Sequence, residues 1–205
     1  MAQNNQEIEV KFYITDLPAV RKRLEDLGGR LVHTRTHEIN LRFDTPSGDL
    51  LRKLQVLRLR HDSQVRLTYK GPAQTLEGAR ARQEIEFTVS DFSSAQAFLE
   101  ALGYQVVMMY EKYRTTYEME GMEILLDEMP YGSFLEIEGP DPAGMRHFAQ
   151  ALQLDWEAAA ADSYTALFEK LRARLGLTFR DLSFANFAAL DVTAADLGLR
   201  AADQG

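Results

Sequence analysis

Residues 6–14, QEIEVKFYI, alternate charge with hydrocarbon. Glu7, Glu9 and Lys11 fall on one side of an extended strand, and Ile8, Val10 and Phe12 on the other. The same period of two returns in 54–60 and 65–70, two runs joined by the polar turn HDSQ, which read as a hairpin. It returns again in 82–89, in 106–119, in 122–129 after the Glu120-Gly121 turn, and in 133–138 after Pro130-Tyr131-Gly132. A helical period marks 15–29, where Leu17, Val20, Leu24 and Leu27 follow the cap candidate Asp16 and stop at two glycines. Residues 91–104 repeat that plan with Asp91 and Gly103, and further helices are expected over 141–154 and about 156–175. Residues 40–51 read as a strand end running into a Pro-Ser-Gly turn, 73–81 as a loop, and 200–205 as a frayed end. One α+β domain dominated by antiparallel strands is expected.

Nearly every strand carries one charged and one apolar face. Arg58 and Arg60 oppose Leu57 and Leu59; Arg66 and Lys70 oppose Leu67 and Tyr69; Arg82, Glu84 and Glu86 oppose Ile85 and Phe87. Lys112 and Arg114 share a face, Asp127 opposes Leu126, and Glu136 with Glu138 opposes Leu135 and Ile137. A single such strand is ordinary for a sheet wetted on one side. The density of Arg and Glu is not, because wetted strand faces favour β-branched polar residues. A sheet closed with these faces inward would put about eight cations and seven carboxylates into one lumen, with amphipathic helices over the apolar outside. Charge at that density requires pairing or a ligand. A highly anionic ligand with a divalent cation meets both needs: Lys and Arg hold phosphoryl oxygens, and carboxylates hold Mg²⁺ or Mn²⁺.

Bulk composition narrows the function classes. The 205 residues suit one domain, and 45% hydrophobic with 26% charged residues is a globular balance. The net charge of −8 argues against a nucleic-acid-coating protein. The absence of cysteine removes disulfides, thiolate metal sites and cysteine nucleophiles. No apolar run of about 18 residues is present, and MAQNNQEIE lacks the basic-then-apolar plan of a secretory signal. A cytoplasmic protein, monomer or homodimer, with no membrane and no nucleic-acid partner is expected. His33 and His37 read as surface or mouth residues, and Trp156 as core.

EIEVK, LRLR, RLTYKGP, RQEIEF, EKYR and LLDEMPYGSFLEIEG, in that order, resemble the CYTH superfamily of triphosphate tunnel metalloenzymes over about residues 5–170. The resemblance implies an eight-stranded antiparallel β-barrel whose tunnel takes a triphosphate, here as a domain over 5–175 with a C-terminal extension over 176–205 of unknown role. It implies metal ligands at Glu7, Glu9, Asp127, Glu136 and Glu138. Phosphate contacts fall at Lys11, Arg58, Arg60, Lys70, Lys112 and Arg114, with Arg66 as an addition. Lys11, Glu84 and Glu86 are the candidate catalytic residues, the two glutamates orienting cations or a second metal. Which carboxylate or lysine activates water stays open. Where many members carry Tyr in an N-x-Y-F-D-T stretch, this chain has Arg42, a further cation near the tunnel mouth or a surface charge, with the surface reading slightly favoured. The implied activity is Mg²⁺- or Mn²⁺-dependent hydrolysis of a small-molecule triphosphate, inorganic tripolyphosphate foremost. The alternatives are a class IV adenylate cyclase and a non-catalytic polyphosphate-binding module.

Overall fold

A computed structural model describes residues 6–204. The signal-peptide reading of residues 1–5, and the first residue of the expected domain, lie outside them. The chain runs β1 (Gln6–Ile14), α1 (Leu17–Asp26), β2 (Arg30–Asp44), α2 (Asp49–Arg52), β3 (Val56–His61), β4 (Val65–Lys70), β5 (Gln74–Leu76) and β6 (Ala79–Val89). It continues through α3 (Phe92–Ala101), β7 (Gln105–Met119), β8 (Met122–Met129), β9 (Gly132–Glu138), α4 (Pro142–Ala151), a 3₁₀ turn (Trp156–Ala158), α5 (Tyr164–Leu175) and α6 (Phe184–Phe187). Asp16, Asp91 and Asp141 cap α1, α3 and α4 by accepting from Ala19 N, Ser94 N and Gly144 N.

The strands are antiparallel in the order β1-β9-β8-β7-β2-β3-β4-β6, and β6 pairs back onto β1 to close the ring. The closure is staggered. Residues 80–83 of β6 take β1, whereas 84–89 take β4 on the opposite edge. β5 is a ninth, short strand hairpinned onto β6. The segment expected as a loop over 73–81 is therefore mostly strand. Its turn is Glu77-Gly78, and both residues have positive φ, as a two-residue hairpin turn of this hand requires.

Three apolar clusters hold the ring. Outside β1, β8 and β9, Phe12, Ile124, Leu126, Leu135 and Ile137 pack on Val20 and Leu24 of α1 and on Phe148 of α4, with Trp156 in the same core. Outside β2–β4, Phe43 and Leu59 meet Leu99 of α3. The third cluster lies within one end of the ring, because Tyr13, Tyr110, Met129 and Phe134 continue the inward rows of Lys11, Lys112, Asp127 and Glu136. Tyr164, Phe168 and Leu171 of α5 close this end together with Leu182, Phe187 and Leu197. Each such side chain contributes about 1.5–3 kcal/mol on burial, so residues 176–204 are part of the fold. Leu182 bonds the backbone of Met109 and Glu111, and Ala202 N donates to Tyr13 O. Asp203 accepts from Thr15 N and Asp16 N, so the end expected to fray is docked. The helix expected over 156–175 is split into the 3₁₀ turn and α5. No helix among the described residues is long and apolar enough to cross a membrane.

Candidate active site in the lumen

The ring encloses a cavity of about 1310 Å³, and its walls are the charged faces of the strands. Glu7, Glu9, Lys11, Arg58, Arg60, Arg66, Lys70, Glu84, Glu86, Lys112, Arg114, Glu136 and Glu138 all line it. Strand register sets the pairs: Glu9 faces Glu138, Lys11 faces Glu136, Arg114 faces Asp127, and Lys70 faces Glu84.

The five acids singled out as metal ligands divide into two groups. Glu7, Glu9 and Glu138 present carboxylate oxygens that all lie within 4.8 Å of one another. Glu136 instead meets Lys11 Nζ at 2.6 Å and Arg114 at 2.6 Å. Asp127, fully buried, accepts from Lys112, from Arg114 and from the Tyr164 hydroxyl. Burial opposes charge on Glu136, but Lys11 and Arg114 hold it well below the ordinary carboxylate range. Within the triad, burial also opposes ionisation of Glu7, yet Lys70 and Arg82 keep it low. Glu138 has no ion pair and no hydrogen bond among the described residues, and burial with the nearby Glu7, Glu136 and Glu9 pushes it up to about 8. Three oxygen donors with one uncompensated carboxylate fit a hard divalent cation.

Next to the triad begins the basic wall. Lys70 Nζ bridges Glu7 at 2.8 Å and Glu84 at 3.0 Å. Glu86 accepts from Thr68 at 2.7 Å and from Arg58 at 3.4 Å, so the two glutamates aim Lys70 and Arg58. Burial and Glu7 raise Glu84; burial opposes charge on Glu86, but Thr68 and Arg58 lower it. Arg66 turns toward Asp62 at 2.6 Å, with Glu86 at 3.8 Å. Lys11 Nζ also lies 4.3 Å from the centre of the Tyr164 ring, the floor contributed by α5.

Sequence reasoning missed the contribution of β2. Glu38 lies between Arg60 and Lys112, each at 3.6 Å, and Asn40 Oδ1 accepts from Arg60. Arg42, expected at the surface, lines the lumen and donates to Thr165 Oγ1 at 2.8 Å, because the inward row of β2 runs Glu38, Asn40, Arg42. The alternation in HEINLRFD carried that signal. Arg82 reaches Glu7 at 3.0 Å and Glu9 at 3.5 Å. Tyr110 accepts from Arg58; burial resists its ionisation, but Arg58, Arg60 and Lys112 bring the phenol down to about 8. No local pattern marked Tyr110 or Tyr164. His33 is at the rim, whereas His37 sits outside against Glu111 and Tyr113.

Known proteins resemble this chain in sequence and in fold. The chain is 27% identical over 192 residues to the adenylate cyclase CyaB of Aeromonas hydrophila, covering 92% of this chain and 90% of that one. A putative adenylate cyclase from Vibrio parahaemolyticus superposes with a TM-score of 0.71 at 21% identity, covering 82% of this chain and 99% of the other. A putative adenylyl cyclase from Hippeastrum, described as revealing a dominant triphosphatase activity, gives 0.61 at 21% identity over 80% of this chain and 95% of its own. A family model of the CYTH domain matches residues 5–161, and the chain belongs to the CYTH family.

Proposed function

We propose that this chain is a metal-dependent hydrolase of triphosphate compounds, with inorganic tripolyphosphate its best-fitting substrate. CYTH enzymes act on small triphosphates and depend on a metal. The observation that carries the reading is the triad Glu7, Glu9 and Glu138 sharing one ring-enclosed lumen with a basic wall. Mg²⁺ or Mn²⁺ held there would polarise phosphoryl oxygens and offset charge on the leaving diphosphate. Lys11, Arg58, Arg60, Lys70, Lys112 and Arg114 then bind the chain of phosphates, with Arg66 at the rim, and align one phosphorus with attacking water. Glu84 and Glu86 keep Lys70 and Arg58 aimed, while Asp127 and Glu136 act as counter-charges for Lys112, Arg114 and Lys11. A binding-only module needs the cations; it has no use for an uncompensated Glu138 beside two more carboxylates.

One feature favours adenylate cyclase as the second reading. Pro46, Leu51, Leu54 and Val56 line one mouth, and Leu51 and Leu54 are about 70% exposed (68% and 70%), which suits an organic group outside the phosphate channel. The Aeromonas relative is named for that activity, and the Hippeastrum protein for both. Phosphate release from tripolyphosphate tests the first reading. It should require Mg²⁺ or Mn²⁺ and stop in excess EDTA; undiminished turnover in EDTA would remove the metal assignment.

A further inference from the structure

Most charges of the lumen are paired. Among the described residues, each lysine and arginine of the lumen wall other than Arg42 has an acid within 4.0 Å. Among the acids lining the lumen, Glu138 in the metal triad, the rim-exposed Glu123 and Asp44 have no cation within 4.0 Å. Arg42 faces another cation instead. Its direct cross-strand neighbour is Arg58, and like charges so placed repel. The closest acid on its own strand, Asp44, is occupied in capping α2, accepting from Thr45 N, Leu50 N and Leu51 N. The single hydrogen bond of Arg42 goes to neutral Thr165, while its Nε is buried with no partner. Arg58 Nε and Asn40 Nδ2 are buried donors without acceptors on the same wall. A guanidinium so placed costs free energy in the empty protein, through desolvation and repulsion, and gains it when an oxyanion arrives. Burial, with the nearby Arg58 and Arg82, lowers the Arg42 pKa against the opposing influence of Tyr110 and Asp44.

We infer that Arg42 is a further substrate-binding residue, which with Arg58 holds a phosphoryl group of the bound triphosphate. The assignment rests on the triphosphate reading and adds a contact to it. Arg42 then leaves Thr165 or shares its fork between that hydroxyl and a phosphoryl oxygen. The same side chain serves affinity at the expense of stability in the free protein.

Wild-type protein, Arg42→Met and Thr165→Val are compared by thermal melting without ligand and by calorimetric titration with tripolyphosphate, both in EDTA. Arg42→Met should melt at the same temperature or higher and bind tripolyphosphate at least about tenfold more weakly, the loss of one charge-assisted contact. Thr165→Val should bind as wild type does. Were Arg42 only a strap between β2 and α5, both variants would melt lower and neither would lose affinity; that result, or wild-type affinity in Arg42→Met, overturns the inference. Wild-type protein that fails to bind tripolyphosphate both in EDTA and with Mg²⁺ would instead remove the triphosphate reading beneath it.

Discussion

Replacing Glu138 by Gln should stabilise the protein without metal while disabling it with metal. Glu138 is a carboxyl of ordinary value 4.5 pushed up to about 8 by burial and by Glu7, Glu136 and Glu9. Between those two values the folded state binds more protons than the unfolded chain, so stability falls as pH rises through the window. Each unit is worth about 1.36 kcal/mol, which gives ~3 kcal/mol at pH 7 and about 1–3 kcal/mol once relaxation and water access are discounted. Glutamine keeps the shape, carries no charge and removes this dependence. Urea unfolding in EDTA at pH 5, 6, 7 and 8 measures it: the wild type should lose stability toward pH 8, and Glu138→Gln should be flatter and more stable at pH 7. In the wild type, Mg²⁺ affinity should rise with pH up to about 8, because the proton must leave before the cation binds. A variant less stable than wild type at pH 7 in EDTA, with an unchanged pH slope, would refute the reasoning.

The strand-face assignment separates two neighbours: Arg58→Ala or Arg60→Ala should weaken tripolyphosphate binding by about 1.5–3 kcal/mol. Leu59→Ala, fully buried on the outer face, should lower unfolding free energy by about 2–5 kcal/mol and leave the KM of the remaining folded enzyme unchanged; the opposite pattern would mean the strand is inside out. Tyr110 should ionise near pH 8 in an ultraviolet titration of the free protein, the step should vanish in Tyr110→Phe, and it should move up when an oxyanion neutralises Arg58 and Arg60. Asp203→Ala removes the acceptor for Thr15 N and Asp16 N and should cost about 1–3 kcal/mol in denaturant unfolding.

The inward charges on β1, β3, β4, β7 and β9 were legible because each strand keeps a clean period of two. Glu7, Glu9 and Lys11 were fixed by five residues of sequence. β2 was harder: register shifts between Leu31 and His33 and between His33 and Thr36 obscure the start of the strand, so the clean alternation of residues 37–44 was not followed to Glu38, and Arg42 was placed at the surface in preference to the tunnel mouth. The division of the acids was invisible for a different reason. Whether a carboxylate meets a cation or a metal depends on cross-strand register, which joins Lys11 to Glu136 and Arg114 to Asp127 from distant segments. The role of the tail was likewise non-local, since Leu182, Phe187 and Leu197 gain their burial from strands far earlier in the chain.

The most direct test is product analysis on two substrates. With Mg²⁺ or Mn²⁺, tripolyphosphate and ATP are incubated separately with the protein and the products separated by chromatography. The ligands of the lumen address phosphate and metal, and binding energy confined to the triphosphate accelerates attack by water without fixing a ribose 3′-hydroxyl in line. The predicted result is phosphate and diphosphate from tripolyphosphate, faster than any product from ATP and absent in EDTA. Cyclic AMP with diphosphate from ATP, formed faster than tripolyphosphate is cleaved, would contradict it.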